Sequence, residues 1–517
     1  MRALFALLVL AVWTPPAVDG GLAVTTQSWC DNAMRIRVVP DPYPRAAALT
    51  RAKLEATLRA QGLKSLPDAL EGVECVPAGG PVALPAGHLA TNGNLRVTAV
   101  GARQLRVARG DTGQTLFNMT LEIGASSAKA AGFLAAQVNL VAGDPSERIY
   151  GLGQGGWTQE SPGAIPGCPA GRQRVVPLAR NGQTVSLQQR KFHVTIPFAV
   201  SSVGYGFVFN MPGAGVVTVG EQGMGGMAWR ADAALGIDVW LTTVPAGVVG
   251  SGDLSAIYKQ YADATGHAPA LREEAMLFWQ SRNRYKSSSI AQSVAQRYAH
   301  LKLPVGVLVI DYKNQRADGD FAPNPACYPS VRALSDGIKA KLNATTVFSF
   351  WPEAMKTSAE YALLHTSRCL INPDLGGLAI DTTVPSCRAL IWEQFLRPRY
   401  YQEGVSSYWL DETDGEGTSN NTAFNDHHGY DTTLGPAAAF SNLWVGSWIR
   451  SFSEPVAAAG AVPPLVLARG VWAGGQRYGV VLWSSDIWST FETLASQVPQ
   501  GVHASMSGIP WCAPCVK

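Results

Sequence analysis

An α/β plus β protein is predicted: an N-terminal β-sandwich followed by a (β/α)8 barrel of TIM type. Three observations carry this. Residues 22 to about 265 hold short alternating stretches, such as Leu95 to Val100, Leu105 to Ala108 and Lys191 to Val200, broken by Gly, Asn, Asp and Ser. Strands of that length and spacing suit a sandwich. The texture changes near Gly266-His267-Ala268-Pro269, after which apolar runs alternate with helical stretches, as in a parallel sheet. Polar residues then follow many of those runs, where a barrel builds its site; an open doubly wound sheet would gather them at one switch point.

The apolar runs are Ala275 to Gln280, Val305 to Ile310, Thr345 to Trp351, Ser406 to Leu410, Pro464 to Ala468 and Val480 to Trp483. Helical patterns over Ser289 to Leu301, Ser330 to Leu342 and Pro385 to Gln402 separate them. A further helical pattern over 46–61 interrupts the sandwich and has no evident place there.

Composition excludes several classes. The chain has 517 residues, ample for full cores without a metal or disulfide scaffold. Charged residues are 15%, with 53 Gly and 33 Pro, which suits a loop-rich enzyme and not a disordered chain. The net charge is +3, and the 29 Arg and 12 Lys are dispersed, so no basic patch for nucleic acid forms.

Arg2 and the 11-residue apolar run Ala3 to Trp13, then Pro15, Pro16 and small residues near Gly20, predict a signal peptide over 1–20. No later segment reaches the 18 apolar residues of a membrane span. A secretory-pathway location follows, extracellular or vacuole-like. Acceptor sequons stand at Asn118, Asn343 and Asn420. Eight cysteines permit disulfides whose pairing spacing alone leaves open.

Candidate chemistry lies in Tyr408-Trp409-Leu410-Asp411-Glu412-Thr413-Asp414 and Trp483-Ser484-Ser485-Asp486, each setting a carboxylate at a strand end beside aromatics. Two carboxylates at one barrel mouth suggest glycoside hydrolysis, although such aspartates also cap helices. Trp351, Trp409, Trp472, Trp483 and Trp488 offer flat faces for sugar rings. Other motifs point nowhere strong. Gly151-Leu152-Gly153-Gln154-Gly155-Gly156 fits a dinucleotide fingerprint, but a poor helix former follows, so a turn is expected. Cys512-Ala513-Pro514-Cys515 does not head a helix, and His427-His428 lacks metal-ligand spacing. No metal or organic cofactor is expected.

Taken together, these segments resemble glycoside hydrolase family 31, the α-glucosidase and α-xylosidase family. Glu147 to Gln154 resembles the turn that the family's N-terminal domain sends to the active site, and Thr265 to Pro269 the approach to the barrel. Phe278 to Tyr285 resembles its first strand, in the α-xylosidase-like form, and Val309-Ile310-Asp311-Tyr312 the second, with Gly319-Asp320-Phe321 beyond it. The most specific stretch runs from Arg469 through Gly474-Gly475-Gln476-Arg477-Tyr478-Gly479 to Trp483 and Asp486.

The resemblance implies that Asp411 is the nucleophile and Asp486 the general acid/base. It implies that Asp311, Trp351, Arg469 and Trp483 hold the sugar. Retention needs the two carboxyl groups about 5–5.5 Å apart. Three departures stand out. The family's W-x-D-x-x-E ends in Asp414, its Gly before the acid/base is Ser485, and its aromatic after the second-strand Asp gives way to Tyr312-Lys313-Asn314-Gln315. After Trp511 the family's further stretch, eighth strand and sugar-binding His are replaced by Cys-Ala-Pro-Cys-Val-Lys. The expected organisation is therefore a leader over 1–20, a sandwich over 21–268 and a barrel over 269–517 that lacks its last strand. The expected activity is a retaining α-glycosidase acting on an α-xyloside or α-glucoside of an oligosaccharide or glycoside. A catalytically impaired carbohydrate-binding relative and a transglycosylase are the alternatives.

Overall fold

The computed structural model describes residues 21–513 except 73, 76, 127–129, 155–176, 190–193, 221–224, 249–252, 318, 372–378, 415–430, 461–462, 486 and 488–490. The predicted leader over 1–20, Asn420, His427-His428 and Asp486 therefore lie outside the described residues.

Between Gly21 and Thr243 the chain forms two antiparallel sheets of seven and eight strands. Alternation makes both half-apolar. Strand Leu95–Gly101 buries every second residue from Leu95 to Ala99 against the opposite sheet. One cluster joins Ile36, Val38, Phe207 and Val239 of the first sheet to Val97, Phe117, Val138 and Trp229 of the second, so the core lies between the sheets. The Lys191 to Val200 run contributes less than its pattern suggests. Its strand is Phe198–Ser201, and 194–197 are irregular. The helical pattern over 46–61 becomes helix Arg45–Ala60, whose Leu54 and Leu58 pack against Phe133 and Phe440.

The second half is a parallel sheet of seven strands in chain order: β1 Phe278–Gln280, β2 Val305–Ile310, β3 Thr345–Phe350, β4 Ser407–Leu410, β5 Val466–Ala468, β6 Val480–Trp483 and β7 Cys512–Ala513. Helices α1 Ser288–His300, α2 Val331–Leu342, α3 Tyr361–Thr366, α4 Pro385–Leu390, α5 Ala437–Ala458 and α6 Phe491–Met506 connect them. Side-chain caps start α1 and α2. Ser287 Oγ accepts from the Ile290 N–H and Ser330 Oγ from the Ala333 N–H. The helix α4 widens into a π-helix over Ile391–Tyr401, around Pro398, which has no N–H for the ladder. Between β5 and β6 only a 3-10 turn, Gly475–Tyr478, makes the crossing.

Strand β2 is buried on both faces, as parallel strands are. Its odd residues Val307 and Val309 join Val347, Trp409, Leu467, Val481 and Trp483 in one interior cluster, against which Trp279 of β1 and Ala513 of β7 also pack. A flat sheet could not gather its first and last strands into one cluster, so the sheet curls. Among the described residues β1 and β7 remain at the two edges, unpaired with each other. Apolar side chains face solvent there: Met276, Leu277 and Phe278 at one edge, Phe491, Leu494 and Val498 on α6 at the other. The Ala275 to Gln280 run is only partly strand, because Glu273–Met276 forms a 3-10 turn first.

The two halves share a core. Trp29, Val194, Phe198 and Trp240 of the sandwich cluster with Tyr261, Leu308 and Phe348. Polar bonds cross the seam too. Ser507 Oγ accepts from the Gly153 N–H at 2.7 Å, and Asn442 Nδ2 donates to the Leu187 and Gly213 carbonyls. No helix among the described residues is long and apolar enough to cross a membrane. Disulfides join Cys30 to Cys75 and Cys369 to Cys387, while Cys327 and Cys512 are free.

Candidate active site

Strand alternation and register together assemble the site. The interior residues Val309, Trp409, Leu467 and Trp483 are each followed two positions on by Asp311, Asp411, Arg469 and Ser485. Period two therefore aims these next residues inward too. Register sets two of them, Asp411 and Arg469, at one level with two tryptophans. Phe350 pairs with Leu410, Leu410 with Ala468 and Ala468 with Leu482, so Trp351, Asp411, Arg469 and Trp483 emerge side by side at the carboxyl ends.

Asp411 opens a tight turn closed by Thr413, whose hydroxyl donates to the Leu410 carbonyl at 2.6 Å. Its N–H donates to the Phe350 carbonyl, tying β4 to β3. Oδ1 of Asp411 accepts the Glu412 N–H at 2.7 Å and lies 3.4 Å from Arg469 Nη1. Arg469 is buried, and its Nε and Nη2 both donate to Oδ1 of the buried Asp414, at 3.1 and 2.7 Å. The residue one methylene shorter than the family's Glu thus still reaches the guanidinium. The buried cation thus stands between two carboxylates. The role of Asp414 was not foreseen from sequence; its place three residues after Asp411 was the available signal.

Glu412 is half-buried, and burial first, then the Asp411 charge, pushes its carboxyl up to about 8, against the pull of Arg469. Asp311 is buried and its Oδ1 accepts the Tyr312 N–H at 2.6 Å. The Tyr312 ring meets Trp351 edge-on at 5.7 Å, and Lys313 Nζ lies 4.9 Å over the Tyr312 ring. Trp409 and Trp483 pack edge-to-face at 4.8 Å inside the barrel, and Trp472 sits in the core shared with the sandwich. Trp488, like Asp486, lies outside the described residues. Ser485 has φ 62°, so Ser adopts the left-handed conformation for which the family uses Gly.

The remaining motifs settle as turns and ends. Gly151 closes strand Ile149–Gly151, and Leu152 and Gly153 turn through positive φ. Arg180 braces that turn by donating to the Gly151 and Gly153 carbonyls. Cys512 is an exposed free thiol in β7. Among the described residues, the one group of His and carboxylates close enough to share an ion is Glu74, Asp263 and His267, which contains none of the candidate site residues. There His267 Nε2 bonds Asp263 at 2.8 Å and Glu74 at 3.1 Å, and Lys259 pairs with Asp263.

Residues 268–516 match the family model described as the glycosyl hydrolases family 31 TIM-barrel domain. The barrel half of the chain, residues 268–516, belongs to glycosyl hydrolase family 31. This family 31 chain is 27% identical over 376 residues to an uncharacterized family 31 glucosidase, ORF2, of Pseudescherichia vulneris, covering 71% of the chain and 64% of that protein. It is 28% identical over 367 residues to an alpha-xylosidase of Saccharolobus solfataricus, covering 71% of the chain and 47% of that protein. The chain thus spans about half to two thirds of the length of these relatives. Two solved structures share its fold. A xylosidase from Aspergillus niger superposes with TM-score 0.77 at 22% identity, over 96% of this chain and 70% of that one. A family 31 alpha-xylosidase from a soil metagenome, complexed with xylose, gives 0.74 at 24% identity, over 97% and 70%.

Proposed function

We propose that this family 31 chain is a retaining α-glycosidase that hydrolyses a terminal α-xyloside or α-glucoside through a glycosyl-enzyme intermediate. The observation that carries the reading is the buried Arg469 between Asp411 and Asp414 at the carboxyl ends of adjacent parallel strands. A nucleophilic carboxylate must stay ionised in a partly dry cleft, and the guanidinium with the Glu412 N–H favours that form.

In the proposed first step an oxygen of Asp411 attacks the anomeric carbon. The glycosidic C–O bond breaks, and the leaving oxygen takes the proton of Asp486. In the second step water attacks the same carbon, gives its proton back to Asp486 and releases the Asp411 carboxylate. Asp311 would accept hydrogen bonds from sugar hydroxyls that strengthen in the transition state, with Trp351 and Trp483 walling the ring. Some of the relatives are named alpha-xylosidase and others glucosidase, and the likeness of Phe278 to Tyr285 to the α-xylosidase form supports α-xylosides. A location in the secretory pathway is part of the same proposal. Two disulfides and the exposed sequon residues Asn118 and Asn343 support it.

Turnover of chromogenic aryl α-xylosides and α-glucosides tests the activity, and the first-formed anomer, read by proton NMR, tests the mechanism. Retention gives the α-anomer. A β-anomer, or no turnover together with no trapping of Asp411 by a fluoroglycoside, overturns the proposal.

A further inference from the structure

Helix Arg45–Ala60 has no part in the glycosidase reading, and it roofs a space on the sandwich. Of its 16 residues only Ala47, Leu54 and Leu58 are buried. Beneath it runs strand Ala33–Asp41, which turns Met34, Ile36 and Val38 into the core between the sheets. Period two therefore points Arg35, Arg37 and Val39 outward, under the helix. Charged groups cannot be packed dry against leucines at low cost, and a cavity of about 890 Å3 stays open between helix and strand. That is the size of a small-molecule site. A recess of about 130 Å3 adjoins it, sharing Arg35, Asp68 and Asp238 and reaching Trp472 in the barrel half.

The lining says what would fit. Seven cations and four carboxylates line the two spaces together. Glu454, outside them, pairs with Arg450, which still leaves two cations in excess. Arg35 is held between Asp68 and Asp238, and Arg51 pairs with Glu55. Arg59 and Lys64 line the cavity, are exposed, and pair with no carboxylate among the described residues. An anion is favoured there. The apolar part of the wall is Leu54, Leu58, Phe133 and Phe440, which form one cluster. Its two rings meet edge-on at 5.9 Å and are buried, and the Trp29 ring is covered by the Arg35 guanidinium at 5.2 Å. No flat aromatic face is left for a sugar to stack on, so an apolar body suits the wall better than a saccharide.

We infer that this cavity binds an organic anion with an apolar body, an aryl or alkyl carboxylate or sulfonate. The body lies against Leu54 and Leu58, and Arg59 and Lys64 meet the charge. The site is separate from the barrel mouth and does not depend on the glycosidase reading. Ala439 and Phe440, at the start of α5, line it as well, so one ligand would touch helix, sandwich and barrel half together.

Two fluorescent probes of one shape test it on the whole chain: anilinonaphthalene sulfonate and its uncharged counterpart, phenylnaphthylamine. The sulfonate should bind about tenfold or more tightly than the neutral probe at low salt, with the advantage shrinking as salt rises. The R59A/K64A variant should weaken sulfonate binding about three- to tenfold and leave the neutral probe unchanged. Both side chains are exposed, so circular dichroism should match wild type. Each single variant should give part of the loss. A probe held instead at the open edges of the barrel sheet would not respond to these changes. Equal affinity for the two probes in wild type, or sulfonate binding unaltered in R59A/K64A, overturns the inference. Displacement of the sulfonate probe by glucuronate at lower concentration than by naphthalene sulfonate would assign the cavity to an acidic sugar and overturn it equally.

Discussion

Asp414, not Asp411, is the tighter partner of Arg469: two nitrogens of the guanidinium converge on Asp414 Oδ1, at 2.7 and 3.1 Å, while the third stands 3.4 Å from Asp411. Asp414 acts as the anchor that fixes the cation, and the cation in turn serves Asp411. Removing the anchor leaves a buried charge without its main partner. D414A should lower stability by about 3–5 kcal/mol, the usual effect of breaking a buried pair. Denaturant unfolding checks this. A midpoint within error of wild type would show that the pair is not held as described.

Asp411→Asn should abolish turnover, by on the order of 10^4-fold or more in kcat, while leaving the fold intact. The amide fills the same space but forms no glycosyl ester. Circular dichroism and steady-state kinetics together check it. Turnover near the wild-type rate would remove Asp411 from the mechanism.

Asp486→Ala should harm substrates with poor leaving groups far more than aryl glycosides, which need little protonation. Added azide should restore part of the rate by attacking the glycosyl-enzyme without a base. Equal losses on both substrate types, with no response to azide, would deny Asp486 the acid/base role.

A stability prediction comes from the loop beyond β2. Asp320 is buried, and burial first, then the hydrogen bond and charge of Glu360, push its carboxyl up from 3.8 to about 6. The folded state then binds more protons than the unfolded state between about pH 4 and 6, so this group's contribution is full at the low end and is lost as pH rises through that window. The slope for one proton is at most about 1.4 kcal/mol per pH unit. Glu360, hydrogen-bonded by Asp320 and paired with Arg399, is pushed the other way despite its burial, and its contribution is lost as pH falls below the ordinary glutamate range. Chemical unfolding across the window should show a fall with rising pH that D320N removes. An unchanged slope in D320N would refute the assignment.

The proposed secretory-pathway location predicts a mature chain that begins near Gly20 or Gly21 and carries glycan on at least one of Asn118, Asn343 and Asn420. Asn343 caps the C-terminus of α2 in the left-handed conformation with its side chain exposed, so an enzyme can reach it after folding. N-terminal sequencing and a gel shift on deglycosylation check this. Met1 on the cellular protein with no shift would contradict it.

Much of this architecture is legible in the sequence where one short-range signal dominates. Val305–Ile310 and Val480–Trp483 are uninterrupted apolar runs, and their strands have the expected bounds. The first barrel strand is shorter than its run, because Glu273 and Glu274 start a 3-10 turn that apolar content does not reveal. Helix Arg45–Ala60 is plain from its periodicity, but its place is not: Leu54 and Leu58 find Phe440, nearly 400 positions away in sequence, only through folding. A separation of 55 positions likewise hides the Asp414–Arg469 pair, which exists because β4 lies beside β5. Charge partners set by strand order have no local signature.

The seam between sandwich and barrel has a consequence for how the molecule comes apart. Arg180 carries the Gly151–Gly153 turn from the sandwich side, and Ser507, at the end of α6, takes hold of its Gly153 N–H. Trp240 and Leu308 meanwhile belong to one continuous apolar cluster. Neither half could melt without uncovering the other's interior, so heat should produce a single calorimetric transition for both. The barrel expressed alone would be missing one of its own walls.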